Sequence, residues 1–288
     1  MSGSAHDIRV AALFVHPLKG ARRIPVDRLE LDWRGAAGDR RWMLVDGDGI
    51  ALTQRDHRRL ALVHPTFATS DRDGALALRA PGLEPYTIAV PASGARRRVR
   101  VWEDVTAAID AGDEAAAWMG EAIGARCRLV RLADGASRAL RGRYSGDVPA
   151  AGRDVAFTDA APLLLLGQGS IDALNSRLRD RGEGSVSDER FRPNVLLAGT
   201  APHEEDEWAL IEVGAATIGV GSACARCVVT TIDQATAEQG LEPLRTLSSY
   251  RKQDGKVVFA MNCTHAAPGT ITVGDAVRVI RRRRGALP

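Results

Sequence analysis

Short apolar runs, each interrupted after a few residues by Gly, Pro or Asp, make up most of the first hundred residues and limit what this chain can fold into. The sequences DGDG at 46–49 and DRDG at 71–74 separate neighbouring runs and are typical of hairpin turns. The pattern favours antiparallel β sheet arranged as a small barrel. Strands are predicted at Val10–Val15, Leu29–Leu31, Trp42–Val45, Ile50–Thr53, Leu60–Val63, Ala75–Leu78 and Thr87–Val90.

The middle of the chain contains two regions with helical spacing. Apolar residues three and four positions apart predict a helix over 113–123, followed by a strand at 127–132. A second helical pattern begins at Asp159; it contains the apolar segment 163–166 and then a helix over 170–178 with a serine N-cap.

Strand patterns return in the last third of the sequence, so the whole chain is predicted to be mainly β. The polar segments 133–153 and 179–189 predict loops that would line the entrance of a site, the first of them mobile. Strands are predicted at Val195–Ala198, Ala209–Val213, Ala216–Val220, Cys227–Ile232, Val257–Met261, Thr270–Val273 and Ala276–Ile280.

Charge and hydropathy exclude some classes of protein. The formal net charge of +3 is small for 288 residues, so nucleic acid is not an expected partner. No apolar stretch approaches the length of a membrane span, and the N-terminus has no secretory signal, so we expect a cytoplasmic protein without membrane association. The basic clusters Arg96–Arg98 and Arg281–Arg284 are interpreted as a solvated edge or a frayed tail.

Cys224 and Cys227 form a CxxC pair that is followed at once by β-branched residues. A structural zinc site needs four N or S ligands, and only Cys127, Cys263 and scattered histidines are left to complete one here. A thioredoxin-type disulfide normally opens a helix, whereas residues 227–232 predict a strand. Two half-buried cysteines with a purely structural role are the simplest interpretation from these residues alone.

Three further polar motifs weaken that interpretation. Phe-Arg-Pro-Asn at 191–194 places a cation and an amide ahead of a buried strand. His-Pro-Leu-Lys-Gly at 16–20 places a lysine after the first strand, and Gly-Asp-Arg-Arg-Trp at 38–42 places arginines before another. Each motif alone could be only a turn.

The ordered set HPLKG, GDRRW, FTDAAPLLLL, FRPNV, CARCVVTTID, EPLRTLSSYR and PGTITVGDAV resembles the MOSC family of molybdenum cofactor proteins. Within that family it is similar to the subgroup with an N-terminal MOSC β-barrel, which includes the mitochondrial amidoxime reducing component. The match runs from about Val10 to Ile280. It implies a mainly β (α+β) fold, with an N-terminal MOSC-type β-barrel domain at 1–125 and a C-terminal MOSC β-barrel domain with a few helices at 126–288.

The resemblance implies a molybdenum-molybdopterin cofactor in a cleft between the two units, with one cysteine thiolate as the protein ligand to molybdenum. In the family that ligand directly precedes the β-branched run, which assigns it to Cys227 and leaves Cys224 as a neighbour. Molybdenum takes soft sulfur donors, and Arg226 would favour the charged thiolate.

Positions that match the family's motifs are assigned contacts to the pterin or its phosphate. Asp159 is a candidate proton donor, with helix capping as the simpler alternative. The assigned side-chain contacts are Lys19, Arg40, Arg192 and Asn194, and the assigned main-chain contacts are Gly20, Ala160 and Ala161.

Relatives in this subgroup reduce N-hydroxylated compounds such as amidoximes and hydroxylamines, so the resemblance implies a molybdenum-dependent oxidoreductase. No four-cysteine ferredoxin pattern is present, and electrons are therefore expected from a separate flavoprotein, ferredoxin or haem protein. The cluster Arg281–Arg284 is an alternative docking patch for an acidic redox partner.

Two other functions remain open from the sequence. The first is a sulfur-carrier or cofactor-handling protein that uses a persulfide on Cys227. Sulfurases of the family usually carry a pyridoxal-phosphate domain of several hundred residues, which we do not expect here. The second is a module that binds the cofactor without catalysis.

Overall fold

The structure is a computed structural model that describes residues 7–91, 94–146, 148 and 154–283. Its strands as far as residue 155 are β1 (Arg9–Val15), β2 (Ile24–Val26), β3 (Arg28–Asp32), β4 (Gly35–Ala36), β5 (Trp42–Val45), β6 (His64–Phe67), β7 (Leu76–Arg79), β8 (Tyr86–Ile88), β9 (Arg96–Val101), β10 (Asp104–Asp110), β11 (Arg128–Leu132), β12 (Arg138–Ala139) and β13 (Asp154–Val155). The strands that follow are β14 (Leu163–Gly167), β15 (Val195–Ala198), β16 (Trp208–Val213), β17 (Ala216–Ala225), β18 (Lys252–Gln253), β19 (Lys256–His265), β20 (Gly269–Thr272) and β21 (Val277–Arg282).

Helices are few in the described part of the chain. The α-helices there are α1 (Asp113–Ile123), α2 (Gln168–Asp180) and α3 (Leu244–Ser248). Single turns of 3₁₀ helix lie at Arg58–Leu62, Gly142–Tyr144, Asp188–Phe191, Glu204–Glu207 and Val228–Thr231. None of the helices in the described ranges is long and apolar enough to span a membrane.

One large sheet organises the second half of the molecule. It has the strand order β2-β1-β15-β14-β19-β17-β16-β21, and β18 pairs with β19 beside this path. The other sheets have the orders β5-β11-β10-β9, β20-β3-β4, β6-β7-β8 and β12-β13. Because β1 pairs with β15, and β11 pairs with β5 and β10, the chain crosses between the two units more than once. The division at residues 125 and 126 stays a prediction.

The large sheet is covered on both faces, and this explains the run of four leucines in β14. Leu163 and Leu165 pack into the core beneath β3 and β20, whereas Leu164 and Leu166 pack with Ile171 and other residues of α2 on the opposite face. Side chains alternate across a strand, so a strand that is buried on both faces reads as a continuous apolar run.

That double burial corrects the helical pattern predicted from Asp159. Residues 163–167 are strand β14, which is joined through α2 to its parallel neighbour β15. The helix begins at Gln168, so Ser170 lies inside its first turn and does not cap it. Asp159 lies in the bend that precedes β14, so helix capping does not explain it. A short apolar run cannot by itself distinguish a buried strand from a buried helix.

The prediction of a mainly β chain is confirmed, and the helix over 113–123 and the strands at 42–45 and 195–198 have the predicted bounds. Three strand predictions are wrong, those at 50–53, 60–63 and 227–232. Residues 50–53 make only isolated bridges, and residues 58–62 form a 3₁₀ turn that packs Leu60 into the same core as α1. The cluster at 96–98 is a solvated edge, since it belongs to the edge strand β9.

The strand predicted over 227–232 is a 3₁₀ turn at 228–231. The Thr230 hydroxyl donates to the Cys227 carbonyl oxygen at 3.0 Å, and the Thr231 hydroxyl donates to the Val228 carbonyl oxygen at 2.7 Å. Such local side-chain bonds offer the backbone an alternative to a ladder, which overrides the strand preference of the β-branched residues. The four-residue turn is not the long helix that follows a thioredoxin-type cysteine pair.

Candidate functional site

A cavity of about 690 Å³ lies between the first 55 residues, the β9–β10 hairpin and the end of β17. Every residue that the sequence analysis assigned to the site lines this cavity: Lys19, Gly20, Arg40, Asp159, Ala160, Ala161, Arg192, Asn194 and Cys227. Cys224 lines it as well, whereas Cys127 and Cys263 are buried in separate cores. The fold thus brings together motifs from both ends of the chain.

Cys227 follows the last residues of β17 and is half-buried at the cavity wall. Arg55 donates from Nη2 to the Cys227 Sγ atom at 3.2 Å. Burial raises the pKa of the Cys224 thiol, with Arg226 opposing that rise. The two cysteines are therefore not equivalent, because the one that contacts a guanidinium is Cys227.

Lys19 and Asp159 form an ion pair on the cavity wall. The Lys19 ammonium donates to Asp159 Oδ1 and to the Phe157 carbonyl oxygen, the latter at 2.8 Å. Burial alone would raise the pKa of Asp159, but Lys19, Arg55 and the Trp102 N–H together hold that pKa below its ordinary value. Burial lowers the pKa of Lys19, and Asp159 opposes it. The carboxylate is therefore ionised and accepts hydrogen bonds in this state.

The buried carboxylate of Asp39 binds both Arg40 and Asn194 and fixes their positions. Asp39 accepts from Arg40 Nη1 at 2.5 Å, from Asn194 Nδ2 at 3.1 Å and from the His16 backbone N–H at 2.8 Å. Asn194 Nδ2 also donates to Phe14, and its Oδ1 accepts from Leu164 and Arg40. Both N–H donors and the oxygen of the Asn194 amide therefore already have partners within the protein. Its role toward a ligand would be to orient Arg40.

The cavity is strongly cationic. Burial first and Arg40 second lower the pKa of Arg192 to about 9, and its Nη2 atom is buried with no hydrogen-bond partner among the described residues. Among the described residues, the cationic lining residues are Lys19, Arg40, Arg55, Arg138, Arg141, Arg190, Arg192, Arg226, Lys256 and Arg283, and the acidic ones are Glu103, Asp159, Asp206 and Asp254. Crowded guanidinium groups with unused donors fit a large anionic ligand.

Several lining residues were not identified from the sequence, among them Arg55, Trp102, Arg138 and Arg141. Arg55 and Trp102 stand in no motif, and Arg138 lies in the segment predicted to be a mobile loop. Arg138 is buried; it donates to Asp104 at 2.6 Å and to the Thr158 carbonyl oxygen at 2.7 Å. Arg141 comes from the same segment. An arginine-rich loop is the signal that could have found Arg138 and Arg141, since buried cations need partners.

The two loops differ in their relation to the cavity. Residues from 133–153 contribute to the cavity wall, although 147 and 149–153 lie outside the described residues. No described residue of 179–189 lines it, so that part of the prediction is wrong. In the basic C-terminal cluster, Arg282 is bonded to Glu204 and Glu207, and Arg283 donates to backbone oxygens. Arg284 lies outside the described residues, and Arg281–Arg282 belong to a strand, which rules out a frayed tail for them.

Fold and site together define a β-rich protein with a cation-lined cavity that presents one thiol beside a guanidinium. Residues 7–126 match the MOSC N-terminal beta barrel domain and residues 152–278 match the MOSC domain. The chain belongs to the MOSC family, and the predicted resemblance and fold class are confirmed.

The chain is similar to two kinds of curated protein, amidoxime-reducing components and molybdenum cofactor sulfurases. Mitochondrial amidoxime-reducing component 1 of Mus musculus is 32% identical over 94% of this chain and 82% of its own length. The component 1 of Homo sapiens is 31% identical over the same shares of both chains. Molybdenum cofactor sulfurase of Homo sapiens is 28% identical over 93% of this chain but only 32% of its own length. The family is therefore associated with the molybdenum cofactor.

Proposed function

We propose that this protein is a molybdenum cofactor-dependent oxidoreductase that reduces N-hydroxylated compounds, such as amidoximes and hydroxylamines, with electrons from a separate redox protein. The observation that carries the proposal is the Cys227 thiol, half-buried in a cavity that ten cationic side chains of the described residues line. The similarity to amidoxime-reducing components over most of both chains supports the substrate class.

The residues present fit a molybdopterin. Cys227 Sγ would be the protein ligand to the metal, since a thiolate is a soft donor. Arg40 and Arg192 would bind the phosphate, because guanidinium N–H groups are strong donors to phosphate oxygens. In the part of the chain that the structure describes, Arg192 Nη2 has no hydrogen-bond partner. Gly20, Ala160 and Ala161 would offer main-chain contacts. When bound, the cofactor supplies a metal centre that exchanges two electrons with an N–O bond.

Protons must reach the same place, because converting N–OH to N–H and water consumes two electrons and two protons. The Lys19–Asp159 pair is the proton-holding group on the wall, with the proton on Lys19 Nζ and the carboxylate ionised. Asp159 would therefore deliver a proton only after taking one up from Lys19 or solvent. The proposed acid role of Asp159 is accordingly that of a relay.

The electron donor would be a flavoprotein, a ferredoxin or a haem protein that meets the cavity mouth. We place the protein in the cytoplasm, as its sequence predicts. Arg282 is already bonded to two glutamates, which argues against a docking role for that part of the basic cluster.

The alternative function, a sulfur carrier with a persulfide on Cys227, is supported by the similarity to the sulfurase. A guanidinium on the sulfur would also stabilise a persulfide anion. Cyanide-labile sulfur on Cys227 would be its signature.

The test uses protein made in a host that synthesises the cofactor. Supplied with dithionite and a viologen mediator, it should convert benzamidoxime to benzamidine, and Cys227→Ala should fall to background. Cys224→Ala is the matched control and should keep activity, because Cys224 does not contact Arg55 among the described residues. Absence of N–O reduction in metal-loaded protein, together with cyanide-labile sulfur, would establish the carrier function instead.

A further inference from the structure

Trp102 occupies a position that is unfavourable for a tryptophan in two ways. It is the first of two residues in the turn between β9 and β10, where its φ of +58° lies in the left-handed region. Hairpin turns normally fill such positions with glycine or asparagine, because a Cβ atom is strained there. Its side chain is also 52% exposed, which forgoes much of the stabilisation that a buried indole provides. Neither the turn geometry nor burial therefore explains why a tryptophan stands at this position.

The indole is nevertheless held in one place. Its Nε1 donates to Asp159 Oδ1 at 3.1 Å, and the Arg55 guanidinium carbon lies 4.6 Å from the ring centroid. Arg55 in turn donates to Cys227 Sγ at 3.2 Å. Trp102 therefore stands on the cavity wall, separated from the candidate reactive sulfur by one side chain.

Arg55 is itself positioned by a buried pair of amides. Gln54 donates to the Gly20 carbonyl oxygen at 2.6 Å, and Gln54 and Gln234 each donate to the other's side-chain oxygen, at 3.0 and 3.1 Å. Since Gln54 and Gln234 are both almost fully buried, the backbone next to Arg55 is fixed. The wall formed by Arg55 and Trp102 is thus preorganised.

Trp33 is a useful comparison on the same chain. It is 45% exposed and has Arg34 4.2 Å from its ring centroid, so its exposure and cation contact resemble those of Trp102. It has an ordinary φ and does not line the cavity. Of these two exposed tryptophans, Trp102 has both a strained backbone and a place at the cavity, and Trp33 has neither.

We propose that Trp102 is the specificity-determining residue of the site and selects N-hydroxylated substrates whose N-hydroxylated group carries a flat aromatic ring, as in an aryl amidoxime. Such a ring stacks on the exposed part of the indole, and the N–O group then points along Arg55 toward Cys227. The proposal rests on the proposed function and names its substrate class. Stacking between aromatic rings favours aryl over alkyl substrates by about threefold to tenfold.

The test compares kcat/KM for benzamidoxime and acetamidoxime in the cofactor-loaded protein. Trp102→Gly relieves the left-handed φ but removes the indole's hydrogen bond to Asp159 and its contact with Arg55, and glycine adds backbone freedom to the unfolded chain. These effects oppose each other, so its Tm should stay close to that of the wild type, which separates recognition from folding. Its aryl-to-alkyl ratio should fall by about threefold to tenfold. Trp102→Phe should retain most of the ratio, and Trp33→Ala should leave it unchanged.

A second experiment measures substrate binding without catalytic turnover. Equilibrium dialysis of both amidoximes against Cys227→Ala protein, with and without Trp102→Gly, should show tighter aryl binding only where Trp102 is present. If that difference appears and the loaded wild type reduces neither compound, the proposed function fails and aromatic recognition stands. An aryl preference that persists in Trp102→Gly, or that disappears equally in Trp33→Ala, overturns the assignment of Trp102.

Discussion

Among single residues, the Asp39 carboxylate has the largest expected effect on stability, because it binds the cavity residues Arg40 and Asn194 from within the protein. It is 3% exposed, and burial alone would raise its pKa, yet Arg40 and His16 hold that pKa below its ordinary range. It also supports Arg40 at a φ of +46°, which is uncommon for any residue except glycine. The charge and the hydrogen bonds of Asp39 therefore hold three segments of the chain together.

Replacing this carboxylate should be costly. We expect Asp39→Asn to lower the free energy of unfolding at pH 7 by about 3 kcal/mol, because it leaves the largely buried Arg40 guanidinium, whose side chain is 13% exposed, without its counter-charge. Urea denaturation measures the difference. Asp56→Asn is the matched control, since Asp56 is exposed, and it should change stability by less than about 0.5 kcal/mol.

The stability difference between the wild type and Asp39→Asn should depend on pH, and the pKa of Asp39 gives the direction. The pKa of Asp39 is lower in the folded than in the unfolded chain, so its contribution is complete above about pH 4 and is lost as the pH falls further. The stability gap between wild type and Asp39→Asn should shrink on acidification. A gap that is constant from pH 7 to pH 3 would show that the charge of Asp39 is not involved.

The sequence identified some site residues and could not identify others. Lys19, Arg40 and Arg192 stand in compact motifs beside buried strands, and all of them line the cavity. Arg55 and Trp102 have no local motif, because their partners Cys227 and Asp159 are 172 and 57 positions away. Contacts of that range depend on how the sheets are arranged.

At the scale of elements, β17 delivers the cysteine pair to the cavity. The strand continues to Ala225, five residues beyond its predicted end, and its pairing with β19 shifts register on both sides of Ala223. Register shifts of this kind bend a strand and re-aim its side chains. Irregular pairing has no period in the sequence, which is why the strand's true end was not predicted.

Gly221 allows the segment at 142–146 to cross β17 closely. A Cβ atom on Gly221 would lie 2.4 Å from the Tyr144 carbonyl oxygen and 3.0 Å from the Asn262 carbonyl oxygen. We expect Gly221→Ala to destabilise the protein by about 1–3 kcal/mol through this overlap, measured as a lower Tm. Gly240→Ala is the control, because a Cβ atom there meets nothing within 4 Å. Equal Tm values for the two variants would contradict the close crossing.

At the scale of the whole molecule, the cavity exists because the chain crosses repeatedly between its two units. The mainly β character and the order of most strands follow from short apolar runs and turn residues. Strand partners do not follow from these patterns, and β1 pairs with β15 although 180 positions separate Phe14 from Asn194. The cavity could be predicted only through the family resemblance, which placed distant motifs beside one another.

If Cys227 binds molybdenum in this cavity, the metal content of the protein should depend on that residue. Protein from a cofactor-competent host should contain about one molybdenum per chain, measured by inductively coupled plasma mass spectrometry. Cys227→Ala should lose the metal, and Cys224→Ala should retain it. Molybdenum that is retained in Cys227→Ala and lost in Cys224→Ala would show that Cys227 is not the ligand.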